Sequence, residues 1–426
     1  MIRSRIKTVR KGASRTLPPN FWAPFTDSGS GVLNTTLSRG TGSITWTRAG
    51  ATGTTILSSG LVSSTIAANT GRSYYDPTTL QYLGGLLEEA RTNLCIRSQE
   101  LDNAAWSKSS VTITANADTA PDGTSTADRV VEVAASAVHL LISTDVTFSA
   151  SAQVVISAFV KQGNLATSEI YLVNTGATRF AGIKFTYSGA TVSAGTTAPV
   201  GYSVASSGVQ TLPNGYYRIW AVINTVTDTV AHIEFYPKDT TSYLGNTSNY
   251  TTAWGFDAQV GAFLTTYIPT TAATVTRAAD VATCPISGNI DQTVGSAFCR
   301  FMVAQQNPSV GQSCISNDSG AGIGYIYVPA AASTLISTYD GTTVTSSGVV
   351  SDFRGIPTRA AASWGGATKS IYVNGSNKGS GAFDGSYNGT VLYIGNSGAS
   401  NVLNGCIRDI RIWQRVLSDS QIASIR

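Results

Sequence analysis

The sequence predicts an all-β protein with a small N-terminal β unit, two antiparallel β-sandwich domains and one short C-terminal helix. Its 426 residues are too many for one ordinary domain. Only 12% of them are charged, whereas Thr, Val, Ile and Tyr, which suit pleated sheets, are abundant. Turn signals rich in Gly, Asn and Ser separate short apolar runs at about ten-residue spacing, as a sandwich requires.

The first 25 residues are predicted to be a basic arm. Residues 1–15 hold six basic residues and no acidic one, which leaves 22 basic and 24 acidic residues for the rest of the chain. Nucleic-acid binding by this nearly neutral body is therefore not expected. We expect the arm to anchor the chain to a partner protein, because aromatic and arginine side chains are the usual high-energy contacts of interfaces. The anchoring candidates are Arg3, Arg5, Lys7, Arg10, Lys11, Phe21, Trp22 and Phe25.

Residues 26–92 are predicted to be the small β unit. Residues 44–48 alternate between apolar and polar side chains, and glycine-rich turns flank them. Glu88 and Glu89 are the only adjacent acidic residues of the chain. Neighbouring side chains of a strand point to opposite faces, so these two carboxylates cannot flank one bond as a catalytic pair. They are predicted to be structural, in ion pairs with Arg91 or Arg97.

Residues 93–276 are predicted to form the first sandwich. Residues 154–160 are a nearly continuous apolar run and residues 215–222 are another, as expected for buried strands. Residues 253–260 are the expected closing strand. A polar linker is predicted at residues 277–284.

Residues 285–426 are predicted to form the second sandwich. Residues 370–373 are a strand that runs into an Asn-Gly pair, the strongest short signal for a hairpin turn. Near the end of the chain, Ser418 precedes Gln421 at the spacing of a capping box. The single short helix is predicted to begin there.

The cysteine and carboxylate patterns bear on metals and on the cellular environment. The five cysteines lie far apart without a CxxC pair, which argues against zinc and favours buried free thiols in a protein made in a reducing cytoplasm. No apolar window approaches the ~18 residues of a membrane-spanning helix. No cofactor is expected, but a structural calcium ion in the first sandwich stays an open alternative. Its ligands would be Asp122, Asp128 and Asp257.

The second predicted sandwich resembles a known family. Its residues 359–364, 370–375, 393–395, 404–413 and 416–418 follow the order and spacing of the concanavalin A-like, laminin-G-type jelly-roll family. The resemblance implies a jelly-roll sandwich over residues 285–426. Such folds serve binding modules, spacers and enzymes alike, so the fold leaves the function open.

Residues 74–280 resemble virion proteins of bacteriophages. In those proteins a stretch like GLLEEARTNL, here residues 85–94, precedes a sandwich of the carbohydrate-binding-module type. The resemblance implies a particle protein such as a tail-fibre-like appendage. Its further markers are residues 103–106, 121–123 with Asp128, 254–259, 267–271 and 275–280.

The catalytic residues of an enzyme are not found in the expected patterns. Hydrolases built on jelly rolls usually act through two carboxylates, commonly Glu, but no Glu follows Glu234. The Glu-x-Asp-x-x-Glu strand of glucanases with this fold is also absent. His139 and His232 lie in strand-like runs without a nucleophile motif, which favours structural roles. The chain is therefore predicted not to be an enzyme.

Carbohydrate contact is the better candidate for the second sandwich. It needs a flat aromatic ring against the apolar face of a sugar, and amides or carboxylates for the hydroxyl groups. Asn and Asp also fill ordinary turns, so that alternative stays open. The loop candidates are Asn317, Asp318, Tyr339, Asp340, Asp384, Tyr387 and Asn388.

These observations favour a structural subunit of a phage tail fibre. Its arm would dock to other virion proteins, its first sandwich would be a spacer, and its second would contact a polysaccharide or protein of the host surface. Phage fibres are commonly homotrimers, in which several weak sites give avidity. The subunit would be assembled in the host cytoplasm and would end in the virion. The alternatives are a capsid decoration or head-fibre protein and a polysaccharide depolymerase.

Overall fold

The computed structural model describes residues 18–50, 52–63, 66–304, 310–318, 324–330, 334–385, 387–398 and 400–425. These residues form antiparallel sheets and one short helix, which confirms the all-β prediction.

The strands and the helix are numbered in chain order. The N-terminal strands are β1 (Phe21–Ala23), β2 (Thr26–Asp27), β3 (Leu33–Asn34), β4 (Thr45–Thr47), β5 (Arg72–Tyr75), β6 (Tyr82–Leu87) and β7 (Arg91–Asn93). The middle strands are β8 (Ser107–Ser109), β9 (Val111–Asp118), β10 (Ala127–Glu132), β11 (Ser136–Ala137), β12 (Leu140–Ile142), β13 (Val146–Thr147), β14 (Gln153–Lys161), β15 (Thr167–Asn174), β16 (Phe180–Thr186), β17 (Thr191–Ala194), β18 (Ser203–Thr211), β19 (Tyr216–Asn224), β20 (Val230–Tyr236), β21 (Tyr243–Leu244) and β22 (Tyr250–Val260). The C-terminal elements are β23 (Val275–Arg277), β24 (Val281–Pro285), β25 (Gly295–Val303), β26 (Gln312–Asn317), β27 (Gly324–Val328), β28 (Ser337–Tyr339), β29 (Val344–Ser346), β30 (Thr358–Gly365), β31 (Thr368–Val373), β32 (Ser376–Ala382), β33 (Val391–Ile394), β34 (Gly405–Trp413) and α1 (Asp419–Ala423).

The C-terminal sandwich is completed by strands from the N-terminal part of the chain, and we call it the composite sandwich. Its first sheet has the order β32-β31-β30-β25-β34-β6-β5, with β1 also paired to β34. Its second sheet has the order β29-β28-β27-β26-β33-β24-β4. One core fills the space between them and includes Phe21 and Leu87 as well as Ile326 and Ile410. The prediction of a separate β unit at 26–92 is therefore wrong.

Residues 93–276 form a sandwich of their own, which is inserted into the composite sandwich. Its sheets have the orders β18-β19-β14-β22-β10-β9 and β17-β16-β15-β20-β12-β8, with β13 paired to β20. A separate apolar core lies between these sheets. Strands β7 and β23 pair antiparallel, with Asn93 opposite Val275, so the chain enters and leaves the inserted sandwich at one place.

Two of the three aromatic residues of the predicted anchoring arm pack inside the protein itself, whereas Trp22 is half-buried. Phe21 and Phe25 are buried in the composite core, and Phe21 lies opposite Ile412 in the pairing of β1 with β34. The indole Nε1 of Trp22 donates a hydrogen bond of 2.9 Å to Asp409 Oδ1. Phe21 and Phe25 are thus core residues, which corrects their prediction as contacts for a partner. The predicted basic contacts Arg3, Arg5, Lys7, Arg10 and Lys11 lie outside the described residues.

The prediction of a linker at 277–284 is also wrong. Strand β24 lies between β33 and β4 within the second sheet of the composite sandwich. Arg277 and Asp280, which precede it, are fully buried. A segment with these contacts cannot act as a spacer between independent domains.

A network of five buried charges joins the two sandwiches. Its members are Arg48, Arg72, Glu88, Arg277 and Asp280. Arg72 contacts both carboxylates of the network, and Thr266 of the inserted sandwich donates two hydrogen bonds of 2.7 Å to Glu88. Burial alone would raise the pKa of Glu88, but the charges of Arg277 and Arg72 and the bonds from Thr266 lower it to about 2. The adjacent Glu89 pairs with Arg91 at 2.7 Å, as predicted, but Glu88 pairs with Arg72 and Arg277 and not with Arg91 or Arg97.

Two local predictions are confirmed near the C-terminus. Asn374 and Gly375 form the turn between β31 and β32 with positive φ angles of 51° and 86°. Helix α1 begins with a capping box, in which the Ser418 hydroxyl accepts a bond from the Gln421 backbone and the Gln421 side chain accepts one from the Ser418 backbone.

The five cysteines are buried and free, as predicted. Within the described part of the chain, no helix has the length and apolar character needed to cross a lipid bilayer.

Candidate functional site

A shallow groove lies on the outer face of the second sheet of the composite sandwich. Its volume is about 320 Å³, and strands β26 to β29 and the loop after β33 line it. Two half-buried tyrosines, Tyr327 and Tyr339, and the exposed Val344 supply its apolar surface. We call it the tyrosine groove; its lining residues are Gly311, Ser313, Tyr327, Pro329, Ala330, Tyr339, Val344 and Asn401.

Irregular strand pairing places Tyr327 on this outer face. The register of β26 with β27 shifts, so that Ser313 lies opposite Tyr327 but Ile315 lies opposite Ile326. Tyr325 and Ile326 consequently both belong to the core, although neighbouring side chains of a regular strand point to opposite faces. The next residue, Tyr327, then faces outward.

Backbone contacts hold the groove residues in position. Asn401 has a left-handed φ of 49°, and its carbonyl oxygen accepts a hydrogen bond of 2.8 Å from the backbone N–H of Ser313. The hydroxyl of Tyr339 donates a bond of 2.7 Å to the carbonyl oxygen of Gly341. The orientation of the Tyr339 ring is thereby fixed before any ligand binds.

The tyrosine groove offers the contacts that a saccharide needs. Aromatic rings cover the apolar C–H face of a sugar, and hydroxyl and amide groups bond its hydroxyls. Burial raises the pKa of Tyr327, a bond with Ser337 opposes that shift, and Tyr339 adds to it. The Tyr327 ring therefore stays neutral at physiological pH. The Ser313 hydroxyl and the Asn401 amide stand beside the rings as polar partners.

Of the seven residues predicted to contact carbohydrate, Tyr339 lines the tyrosine groove and the others do not. Asp340 is buried and forms an ion pair with Lys369. Burial would raise the pKa of Asp340. Hydrogen bonds to its carboxylate, of which that from Lys369 has the largest effect, lower the pKa to about 2. Asp384 is exposed and accepts a hydrogen bond of 2.8 Å from the Thr342 hydroxyl. Asp340 and Asp384 thus order a loop.

The remaining predicted contact residues also have structural surroundings. Asp318 accepts hydrogen bonds of 2.6 and 3.0 Å from the backbone N–H groups of Thr390 and Val391. Tyr387 is fully buried, with its ring centroid 4.2 Å from that of Tyr325. Asn317 is buried at the end of β26, whereas Asn388 is exposed. The seven residues therefore do not form one binding surface.

The three carboxylates proposed as calcium ligands lie in separate environments. Asp122 bonds to Thr124 within an exposed turn, and Asp128 accepts two backbone hydrogen bonds of 2.8 Å. Asp257 lies 3.3 Å from the Arg218 guanidinium, which supplies the positive charge that a metal ion would otherwise bring. Among the described residues, no group of three His, Cys, Asp or Glu side chains is arranged to hold a metal ion.

A second concave feature lies between the two sandwiches. This cavity of about 270 Å³ is lined by Trp220, Phe263, Arg218 and Glu88, among others. Its two charged residues are already engaged, Arg218 with Asp257 and Glu88 in the network that joins the sandwiches. The cavity is thus part of the interface between the two sandwiches, and the tyrosine groove is the better candidate site.

A known family matches the composite sandwich. Residues 279–423 match the family model described as the concanavalin A-like lectin/glucanases superfamily. This match confirms the predicted concanavalin A-like character of the C-terminal region. It does not include the N-terminal strands that complete the sheets, and the family name covers both lectins and glucanases. No curated protein sequence matches the chain.

Several solved structures are similar to the chain at low sequence identity. The CBM40 module of Ruminococcus gnavus IT-sialidase bound to α2,3-sialyllactose is 13% identical over 31% of this chain and 82% of that one, with a TM-score of 0.24. Domains LG4–5 of the mouse laminin α1 chain are 12% identical over 65% and 86%, with a TM-score of 0.23. Trypanosoma rangeli sialidase in complex with sialic acid is 10% identical over 70% and 59%, with a TM-score of 0.26.

Seven of the eight groove residues, among them Ser313, Tyr327 and Asn401, were not identified from the sequence. Regular alternation over residues 325–328 predicts that Tyr325 and Tyr327 share one face. The shift in register that separates them depends on β26, and no local pattern marks it. Asn401 offers a weak signal, because Asn is one of the few residues that adopt a left-handed φ readily.

Proposed function

We propose that this chain is a non-enzymatic structural subunit of a bacteriophage particle, an appendage of the tail-fibre type that contacts carbohydrate on the host surface. The observation that carries the proposal is the tyrosine groove, where Tyr327 and Tyr339 present aromatic surface on a concanavalin A-like sandwich. The role in a particle is supported by the resemblance of residues 74–280 to phage virion proteins.

The shape of the groove favours weak, repeated binding. A volume of about 320 Å³ is at the small end for ligand sites, enough for one or two sugar units. The described lining contains aromatic, hydroxyl and amide groups and no carboxylate, so it suits binding rather than acid–base chemistry. Assembly as a homotrimer would place several such sites on one appendage and raise the avidity without new contacts.

Binding of host polysaccharide to the full-length protein tests the proposal. Tyr327→Ala and Tyr339→Ala are each expected to weaken binding at least about tenfold, because each removes an aromatic contact. Tyr393→Ala, in β33 of the same sheet but outside the groove lining, is the matched control and is expected to bind like the wild type. Calorimetric titration measures the affinity, and thermal unfolding shows that each variant is folded.

Two outcomes would contradict the proposal. Unchanged binding by both groove variants would exclude the tyrosine groove, and release of reducing ends from the polysaccharide would show a depolymerase. Antibody labelling of particles in the electron microscope is the second arm of the experiment. Label on the tail supports an appendage, whereas label spread over the capsid, or none on purified particles, contradicts it.

A further inference from the structure

A second groove lies on the outer face of the first sheet of the composite sandwich, on the opposite side from the tyrosine groove. Its volume is about 360 Å³, and side chains of β1, β6, β25 and β34 line it. Arg300 lies between Cys299 and Phe301, which are both core residues, and therefore points outward. We call it the arginine groove; its principal residues are Trp22, Tyr82, Arg300, Arg408, Asp409 and Arg411.

The Arg300 guanidinium has few partners for its N–H donors in this groove. Its single ion pair within the described residues joins Nε to Asp409 Oδ2 at 3.9 Å, and the buried Nε has no hydrogen-bond partner. Asp409 is occupied by closer donors, the Trp22 indole at 2.9 Å and the Arg411 guanidinium at 2.8 Å. The Arg300 side chain as a whole is 35% exposed, so its terminal N–H donors are open to the groove and can bond the acceptors of a ligand.

The other two arginines are held by the aromatic lining. The Arg411 guanidinium stacks over the Trp22 ring at 5.0 Å, and the Arg408 guanidinium over the Tyr82 ring at 5.4 Å. The arrangement keeps their charges beside Arg300 and leaves the Arg300 donors available.

The lining of the arginine groove carries one positive charge in excess. Three guanidinium groups face two carboxylates, Asp27 and Asp409. Asp27 already accepts hydrogen bonds of 2.5 and 2.8 Å from the hydroxyls of Ser73 and Tyr75. Arg359 lies directly opposite Arg300 on the neighbouring strand, but it is outside the groove lining and its guanidinium donates a hydrogen bond of 3.1 Å to the carbonyl oxygen of Ile425.

The ionisation of Arg300 reflects the same surroundings. Its pKa is lowered first by burial and then by the like charges of Arg411, Arg408 and Arg359, against the attraction of Asp409. A bound anion would offset this repulsion.

We propose that the arginine groove binds an acidic sugar and that the sugar's carboxylate pairs with Arg300. A planar carboxylate matches two parallel N–H donors of a guanidinium, and its single charge equals the excess of the groove. A phosphate dianion would exceed that charge. The half-buried rings of Trp22 and Tyr82 flank the position that the sugar ring would take. This site lies apart from the tyrosine groove and does not depend on it.

The experiment uses full-length protein and two carboxylate sugars, trigalacturonate and N-acetylneuraminic acid, each beside its neutral methyl ester. At least one acid is expected to bind about tenfold or more tightly than its ester. Arg300→Gln is expected to reduce binding of that acid to the level of the ester. Arg354→Gln removes an exposed arginine of the same sandwich, paired with Asp352, and is expected to leave binding unchanged.

Further measurements distinguish this proposal from binding at the tyrosine groove and from binding of any anion. Tyr327→Ala is expected to leave acid binding unchanged, so failure of the tyrosine groove would not affect this result. Inorganic phosphate at the same concentration is expected not to displace the acid. The proposal is overturned if neither acid binds or if acid and ester bind equally. It is also overturned if phosphate displaces the acid. A further contradiction would be an Arg300→Gln variant that thermal unfolding shows to be folded but that binds the acid like the wild type.

Discussion

At the residue scale, Asp257 shows how burial and pairing compete for one carboxyl group. It lies 3.3 Å from Arg218 and 2.7 Å from the Gln259 side chain, both of which favour the ionised form. Burial has the larger effect and raises its pKa to about 7. Calcium would require the ionised carboxylate, so this environment also disfavours the predicted metal ligand.

The raised pKa of Asp257 predicts a stability that falls as pH rises. Because the folded-state pKa exceeds the ordinary value of about 4, folding favours the protonated form. That contribution is present in full below about pH 4 and is lost as pH rises through about 7. Asp257→Asn is therefore expected to remove about 4 kcal/mol of pH dependence between pH 4 and 8. Urea unfolding across this range measures it.

The control is Asp122→Asn, in an exposed turn of the same sandwich. It is expected to keep the pH profile of the wild type. If Asp257→Asn also keeps that profile, the carboxyl group is ionised throughout the range and the assignment fails.

At the element scale, strand β1 shows why a short N-terminal strand matters to a domain that is distant in the chain. Phe21 is fully buried in the composite core, and Asn20 also bonds to β34 through its backbone at 2.8 Å. The large ring contributes to packing at the first sheet, where the sequence suggested an arm that reaches for a partner.

Phe21→Ala is expected to destabilise the protein by about 3 to 5 kcal/mol, because it leaves a cavity in a close-packed core. Val349→Ala is the control, since Val349 is 84% exposed, and a change within about 0.5 kcal/mol is expected there. The free energies of unfolding are measured with urea. A small effect of Phe21→Ala would mean that β1 is not part of the folded core in solution.

Elements with local signals were predictable and elements with distant partners were not. The hairpin at Asn374 and the capping box at Ser418 depend on residues within a few positions, and both were predicted. Trp46 of β4 lies opposite Ala282 of β24, more than 200 residues away, and alternation shows a strand without naming its partner. Likewise Tyr339 could be chosen because the sequence predicts a loop there, although it proves to be the last residue of β28. Tyr327 could not be chosen, because its face depends on the register shift with β26.

At the scale of the whole molecule, the buried charge network determines how the two sandwiches are coupled. Glu88 connects Arg72 and Arg277 with Thr266 of the inserted sandwich. Removal of one partner from such a network leaves uncompensated buried charge, so the effect is far larger than for a surface pair.

Glu88→Gln is expected to destabilise the protein at pH 7 by about 3 to 5 kcal/mol. The folded-state pKa of Glu88, about 2, lies below its ordinary value. The contribution of the carboxylate is therefore present above about pH 4.5 and is lost as pH falls through about 2, so wild type and variant should converge in acid. Urea unfolding at pH 7, 4 and 2.5 measures this.

Glu100→Gln is the control, because Glu100 pairs with Arg97 at the surface and its side chain is 40% exposed. A change below about 1 kcal/mol is expected for it. Equal effects of the two substitutions would show that the network does not couple the sandwiches.

The antiparallel pair of β7 and β23, the two-stranded ribbon through which the chain enters and leaves the inserted sandwich, has a consequence for biosynthesis. About 180 residues separate Asn93 from Val275, and all of them must be translated before the C-terminal partners of β1, β4 and β6 exist. At about 5 to 20 residues per second, translation of the insert alone takes roughly 10 to 40 s, and the early strands wait at least that long with their apolar faces uncovered. The inserted sandwich can fold during that interval, since its own ends are brought together by the ribbon. The nascent chain is thus most exposed to aggregation at its beginning, and a ribosome-associated chaperone would be needed there first.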